Sequence, residues 1–106
     1  MHDLSQPPDL TILHREIQKF TGKKLTDVQV QILIHLQKVE EANLEQLTSQ
    51  TASTPATILA ACRLLNESNL CWWNETVPRH YYLTAQGRCM LTQIQYQARS
   101  RSAQIR

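Results

Sequence analysis

A mainly α-helical domain with one small β-hairpin, in the order α-α-α-α-β-β-α, is the fold class this sequence predicts, and three observations predict it. Ahead of residue 70 lie four segments whose apolar residues recur at helical spacing behind helix-capping residues. The last two of these are separated only by the turn Gln50-Thr51-Ala52-Ser53. Two β-prone runs, Leu70-Cys71-Trp72-Trp73 and His80-Tyr81-Tyr82-Leu83, are then followed at once by a final helical pattern. Helix, turn, helix, two-stranded ribbon and helix, in that order, spell a winged helix-turn-helix.

Residues 1–8 are polar and end in Pro7-Pro8, which predicts a disordered lead. Asp9 caps a helix over 9–21, with Leu10, Leu13, Ile17 and Phe20 on one face and Gly22 placed to end it. Thr26 is the N-cap of a helix over 26–40; Asp27 suits the positive end of its dipole, and Val28, Ile32, Leu33, Leu36 and Val39 form its core stripe. Val30 and Ile34 fall off that stripe, so a second face is expected to be covered as well. Asn43 caps a two-turn helix over 43–50 with Leu44 and Leu47 inward.

Thr54 caps the next helix, over 54–68, and Pro55 opens it where a missing N–H costs nothing. Ile58 or Leu59, Cys62 and Leu65 face inward there, while Ala56, Thr57, Ala60, Arg63 and Glu67 face out. The wing spans 70–83 with a turn from Asn74 to Pro78, and the alternation of Trp72 and Trp73 sends one indole inward and one outward. Thr84 caps a last helix over 84–99 carrying Leu91 and Ile94. The basic residues 100–106 lose the apolar stripe and are expected to fray.

The 106 residues make one domain, over 9–99. A chain this short hides only about 65% of its unfolded surface, so a homodimer that covers more apolar area is expected. No apolar run approaches the roughly 20 residues of a membrane span, and the polar start is no secretory signal, which predicts a cytoplasmic protein without a membrane partner. Cys62, Cys71 and Cys89 are odd in number and lack Cys-x-x-Cys spacing, so they read as reduced thiols. Cys62 and Cys89 suit small buried positions; a redox pair, if one exists, would be Cys71 with Cys89, beside Arg88. His2, His14, His35 and His80 share no metal-ligand spacing, and neither a metal nor another cofactor is expected. Without a glycine-rich phosphate loop, paired carboxylates or a nucleophile beside a base, the chain does not read as an enzyme.

The formal charge of +2 is unevenly placed. Residues 26–71 carry Lys38 and Arg63 against Asp27, Glu40, Glu41, Glu45 and Glu67, while residues 72–106 carry five arginines against Glu75 alone. An acidic helical middle followed by a basic wing and tail points to a polyanion or an acidic partner at the C-terminal end.

Pro78-Arg79-His80-Tyr81-Tyr82-Leu83-Thr84-Ala85-Gln86-Gly87 is similar to the passage from wing to helix in the PadR group, where an arginine precedes aromatic strand residues and then Leu-Thr-x-x-Gly. Leu65-Asn66-Glu67-Ser68-Asn69-Leu70 resembles the end of a recognition helix, with Asn69 where glycine is usual; asparagine tolerates the left-handed cap. Residues 26–94 thus resemble the winged helix-turn-helix domain of MarR- and PadR-type bacterial regulators. The Asp-x-Arg of a MarR wing is matched only by Arg79, and the recognition helix carries the single basic residue Arg63.

The resemblance implies a sequence-specific DNA-binding transcriptional regulator, a repressor, that binds a pseudo-palindromic site in double-stranded DNA as a homodimer. On the residues themselves, Ala56, Thr57 and Ala60 are small enough to enter a major groove. Gln50, Thr51, Ser53 and Thr54 suit a phosphate at the helix N-terminus, and Arg63 reaches a base or pairs with Glu67 one turn on. Arg79 and His80 set the wing on the duplex. Leu10, Leu13, Ile17, Phe20, Leu91 and Ile94 are the expected dimer contact. The alternative is a winged-helix protein-interaction module, an anti-repressor or assembly component, using the Trp-Tyr ribbon with Val30 and Ile34 and binding no DNA.

Overall fold

Capping chemistry sets the helix boundaries in the computed structural model, which describes residues 10–104. The lead expected at 1–8 lies outside the described residues, as do Ile105 and Arg106. Helix α1 (Leu10–Thr21) stops at Gly22, whose φ of 73° is the left-handed conformation that glycine takes without penalty. Helix α2 (Asp27–Val39) opens on a capping box: the Thr26 hydroxyl accepts from the Gln29 N–H at 3.2 Å, and the Gln29 side-chain oxygen accepts from the Thr26 N–H at 2.7 Å. Asn43 and Gln46 form a second box, at 2.8 and 2.9 Å, in front of α3 (Leu44–Thr51). Thr54 caps α4 (Pro55–Glu67), with Pro55 in the first turn, and the Thr84 hydroxyl accepts from the Gly87 N–H at 2.9 Å to cap α5 (Ala85–Gln104).

The sheet has three antiparallel strands rather than the two of the expected hairpin, in the order β1-β3-β2, with β1 at Glu41–Asn43, β2 at Cys71–Trp73 and β3 at His80–Leu83. The expected order therefore lacked β1. Glu40, at φ 70°, breaks the helix and turns Glu41, Ala42 and Asn43 alongside Tyr82, Tyr81 and His80. Glu-Ala-Asn has no strand propensity of its own; the open edge of β3 recruits it.

A second correction concerns the C-terminus. Helix α5 continues through Gln104, past the expected end at residue 99, so residues 100–104 are helical. Losing an apolar stripe does not end a helix when no glycine or proline follows, and Ser100 to Gln104 offer neither.

The core gathers Leu33 and Leu36 of α2, Ile58, Cys62 and Leu65 of α4, Leu91 and Ile94 of α5 and the inner sheet face. Val30 is fully buried and Ile34 packs against the same core, so α2 is covered on two faces. Val39, expected on the core stripe, lies in the last turn of α2 and is 44% exposed. Gln37 and Gln95 exchange amide hydrogen bonds at 3.1 and 2.9 Å, joining α2 to α5.

The end of α4 is tied to the start of α5 at a single point. Asn69 adopts φ 61°, the left-handed cap expected of it, and Leu70 donates its N–H to the Leu65 carbonyl at 2.9 Å. The Leu70 carbonyl accepts from the Thr84 N–H at 3.0 Å, the Thr84 hydroxyl donates to the Asn69 carbonyl at 2.7 Å, and the Asn69 amide donates to Gln86 at 2.8 Å. A Cβ at position 87 would stand 2.5 Å from the Leu70 carbonyl oxygen, so only glycine permits this approach. Gly87→Ala is expected to destabilise the fold by about 1–3 kcal/mol, despite alanine's better helix propensity, because backbone must shift to admit the methyl group. Urea unfolding measures this; an unchanged midpoint would show that the contact is not constraining.

Candidate nucleic-acid interface

Helices α3 and α4 meet through a three-residue turn, Ala52-Ser53-Thr54, made tight by Ala52 at φ 52°. Inside it, Thr51 donates its hydroxyl to the Leu47 carbonyl at 2.8 Å and Ser53 to the Thr51 carbonyl at 3.2 Å, so both half-buried hydroxyl protons are directed inward. Thr54 and Thr57 share a hydroxyl contact at 2.9 Å while remaining exposed, and Gln50 is exposed beside them. The N-terminal turn of α4 thus presents small polar side chains to solvent.

Along α4, Ala56, Thr57, Ala60 and Arg63 all lie on the exposed face, as their spacing predicts. Ion pairs among the described residues join His14 to Asp27 at 2.7 Å and Lys19 to Glu16 at 3.4 Å; Arg63 and Glu67 form none. Ile58, Ala61, Cys62 and Leu65 take the buried face, which turns Leu59 and Leu64 outward at 40% and 51% exposure. Sequence reasoning left Leu59 open and missed Leu64. The signal was present, since an inward stripe at 58, 61, 62 and 65 leaves 59, 60, 63 and 64 outside.

The wing is organised by two aromatic rows. On the inner face, buried Tyr81 meets Trp73 at 5.7 Å between ring centroids, and the exposed Arg79 lies 5.4 Å over the Trp73 ring, where its positive charge also acts on the Tyr81 phenol. On the outer face, Trp72 and Tyr82 stack at 4.4 Å and 18°. His80 is half-buried; its N–H reaches the Asn74 side chain at 2.9 Å, and the Asn74 N–H returns to the His80 carbonyl at 3.3 Å, closing the base of the wing. The structure thus sets Arg79 on an aromatic support and His80 at the root of the turn.

The expected dimer contact does not survive as a surface. Leu13, Ile17, Leu91 and Ile94 are buried inside the single chain at 1% exposure or less, because α1 packs on α5 and α2 within the protomer. Phe20 alone of that set is shown exposed, at 49%; the side chain of Leu10 lies outside those described. Ile12, at 40%, and Tyr96, at 71%, are further uncovered apolar side chains on α1 and α5. Among the described residues no cluster of metal-ligating side chains occurs, and no helix is long and apolar enough to cross a membrane.

Solved structures share this fold. The chain has the winged-helix fold of MarR-type regulators. RV1404 from Mycobacterium tuberculosis superposes with a TM-score of 0.77 at 20% identity, over 91% of this chain and 68% of that one. NadR in complex with 4-hydroxyphenylacetate gives 0.68 at 19% identity, over 91% and 70%. A MarR family transcriptional regulator from Silicibacter pomeroyi gives 0.67 at 20% identity, over 90% and 67%. No protein-family model matches the sequence, and no curated protein matches it. The winged helix is therefore shared where sequence has diverged widely.

Burial pushes the Tyr81 phenol above its ordinary value, and the Arg79 guanidinium offsets this only in part. The neutral phenol is thus favoured by the folded winged helix. Its stabilising contribution is intact below the unfolded value of about 10 and is lost as pH rises from there toward the higher folded value. Tyr81→Phe is expected to make the alkaline fall in stability shallower, measured as the change in urea midpoint between about pH 9 and pH 11; an equally steep fall would mean that Tyr81 does not govern it.

Proposed function

We propose that this winged helix is a sequence-specific DNA-binding transcriptional regulator, a repressor, which reads a pseudo-palindromic site as a homodimer. The observation that carries the reading is the exposed, small-residue face of α4, with Ala56, Thr57, Ala60 and Arg63, beside a wing on which Trp73 and Tyr81 hold Arg79. A helix of this girth can enter a major groove, where Thr57 and Arg63 offer a methyl contact and donors to base edges. Thr54 and the first N–H groups of α4 suit a phosphate, and Gln50 is exposed next to them. Thr51, Ser53 and His80 serve this interface mainly by shaping the turn and the wing.

Cations are sparse near α4, so affinity depends on a few side chains and its salt dependence is shallow. The wild-type protein is expected to bind duplex DNA at low salt, and the Arg63→Ala, Arg79→Ala double variant to bind at least ~10-fold more weakly with a salt slope smaller by about 2. Fluorescence anisotropy against random and genomic duplexes at two salt concentrations measures both. Absence of binding at low salt, or identical binding by the double variant, rejects the reading.

The homodimer places two recognition helices about 34–36 Å apart, one helical turn of DNA. Phe20, with Ile12 and Tyr96, supplies the uncovered apolar area on α1 and α5 from which such a contact is built. Sedimentation equilibrium is expected to give twice the chain mass, and Phe20→Asp to shift the protein toward monomer; a wild-type monomer at high concentration removes the two-half-site arrangement.

The protein-binding alternative is favoured by one observation, the exposure of Leu59 and Leu64 on either side of Arg63. Leucines in that position reward burial against another protein more than contact with a polar groove edge. Val30 and Ile34, by contrast, belong to the protomer core and its margin.

A further inference from the structure

We propose that α4 reads the 5-methyl groups of thymine in the major groove, so that the duplex it prefers is thymine-rich, with a guanine facing Arg63. The inference rests on the DNA-binding reading above and names the bases that this helix selects. By helical periodicity, Ala56, Ala60 and Arg63 run along the centre of the exposed face, Leu59 lies on one flank, and Thr57 with Leu64 lies on the other. Leu59 and Leu64 are 40% and 51% exposed, and Ala56, Thr57 and Ala60 are exposed with them. From Ala56 to Ala60 this face therefore offers a partner methyl and methylene groups and one hydroxyl.

That hydroxyl is already engaged. Thr54 Oγ1 accepts the Thr57 N–H at 3.3 Å as the helix cap, and the Thr54 and Thr57 hydroxyls meet at 2.9 Å. The Thr57 hydroxyl is thereby drawn toward the start of the helix, which leaves its methyl group as the contact that it brings to a base. Arg63, which joins no ion pair among the described residues, is the first side chain along this face that carries several donors.

Base pairs are told apart in the major groove by their hydrogen-bonding groups and by one apolar group, the thymine 5-methyl. A helix face whose first turns bring apolar carbon and an engaged hydroxyl distinguishes them through that group. The two leucines fit the same account: against a polar groove edge they gain little, whereas a run of thymines turns that edge into a row of methyl groups. Each methyl buried in this way contributes about 4-fold in affinity. Beyond them Arg63 supplies the paired donors that select guanine.

Fluorescence anisotropy at low salt tests this on duplexes of equal length: alternating adenine–thymine, the same with uracil in place of thymine, and alternating guanine–cytosine with either cytosine or 5-methylcytosine. Uracil removes only the methyl group, and 5-methylcytosine places one at the same ring position in the other base pair. The expected result is binding at least ~10-fold weaker to uracil than to thymine, from two or more buried methyls, and tighter to 5-methylcytosine than to cytosine. Thr57→Ser keeps the hydroxyl but lacks the methyl, and is expected to narrow the thymine-to-uracil ratio by about 4-fold, whereas Thr57→Val preserves it. Equal binding to the thymine and uracil duplexes, or to the two cytosine duplexes, overturns the proposal and leaves the regulator reading in place. A ratio that Thr57→Ser leaves unchanged, or that Thr57→Val abolishes, overturns the assignment to α4. Absence of binding to every duplex overturns both readings and favours a protein partner for the exposed leucines.

Discussion

The carbonyl of Leu70 is the point on which the domain turns. It lies directly after the left-handed cap of α4, it accepts the Thr84 N–H, and the bare Cα of Gly87 packs against it. The exit of α4, the end of the wing and the entry of α5 are thereby fixed to one another over a few ångströms. Leu-Thr-x-x-Gly has a physical meaning here: Leu83 fills the core, Thr84 caps α5 and closes back on Asn69, and Gly87 leaves room for a backbone oxygen. Together with the Asn66 amide, which donates to the Cys71 carbonyl at 3.0 Å, that contact sets the orientation of α4 relative to the wing.

With those elements fixed, the wing can serve as a rigid presenter. Trp73 and Tyr81 support Arg79 from below, which limits the conformations of a long side chain before it meets any partner. A cation–π contact at an exposed site is worth only about 0.5–1 kcal/mol, so it orients the guanidinium without immobilising it. The recognition face is different in kind, since Ala56, Thr57 and Ala60 contribute shape and Arg63 its only positive charge. Leu59 and Leu64 give the same face an apolar character, and the acidic residues of α2, β1 and α3 contribute no attraction for a polyanion. Positive charge on this side of the molecule is therefore concentrated on the wing, where Arg79 is held over Trp73.

Local chemistry was the legible part. Thr26, Asn43, Thr54 and Thr84 announce their helices because a short polar side chain before an apolar repeat has few other uses, and the structure adds Gln29 and Gln46 as their reciprocal partners. Strand β1 was illegible because its residues do not favour a strand; it exists because β3 offers an unpaired edge and Glu40 directs the chain to it. The far end of α5 was misjudged because an apolar stripe reports what a helix packs against, not whether it continues. The candidate interface was readable as a face of α4, while the phase that exposes Leu59 and Leu64 required knowing which turn of the helix meets the core.

By itself the sequence determined the order of the helices, their caps, the wing and the Leu-Thr-x-x-Gly junction, all of which rest on interactions spanning only a few residues. The tertiary structure alone decided which apolar side chains remain outside and which groups meet across elements. Leu13, Ile17, Leu91 and Ile94 became core instead of interface, Cys89 came to lie exposed while Cys71 is buried, and Arg79 acquired Trp73 and Tyr81 as its support. The reason is the same in each case: periodicity specifies the face of an element, but the partner of that face is chosen by the packing of segments distant in the chain, which no local pattern encodes.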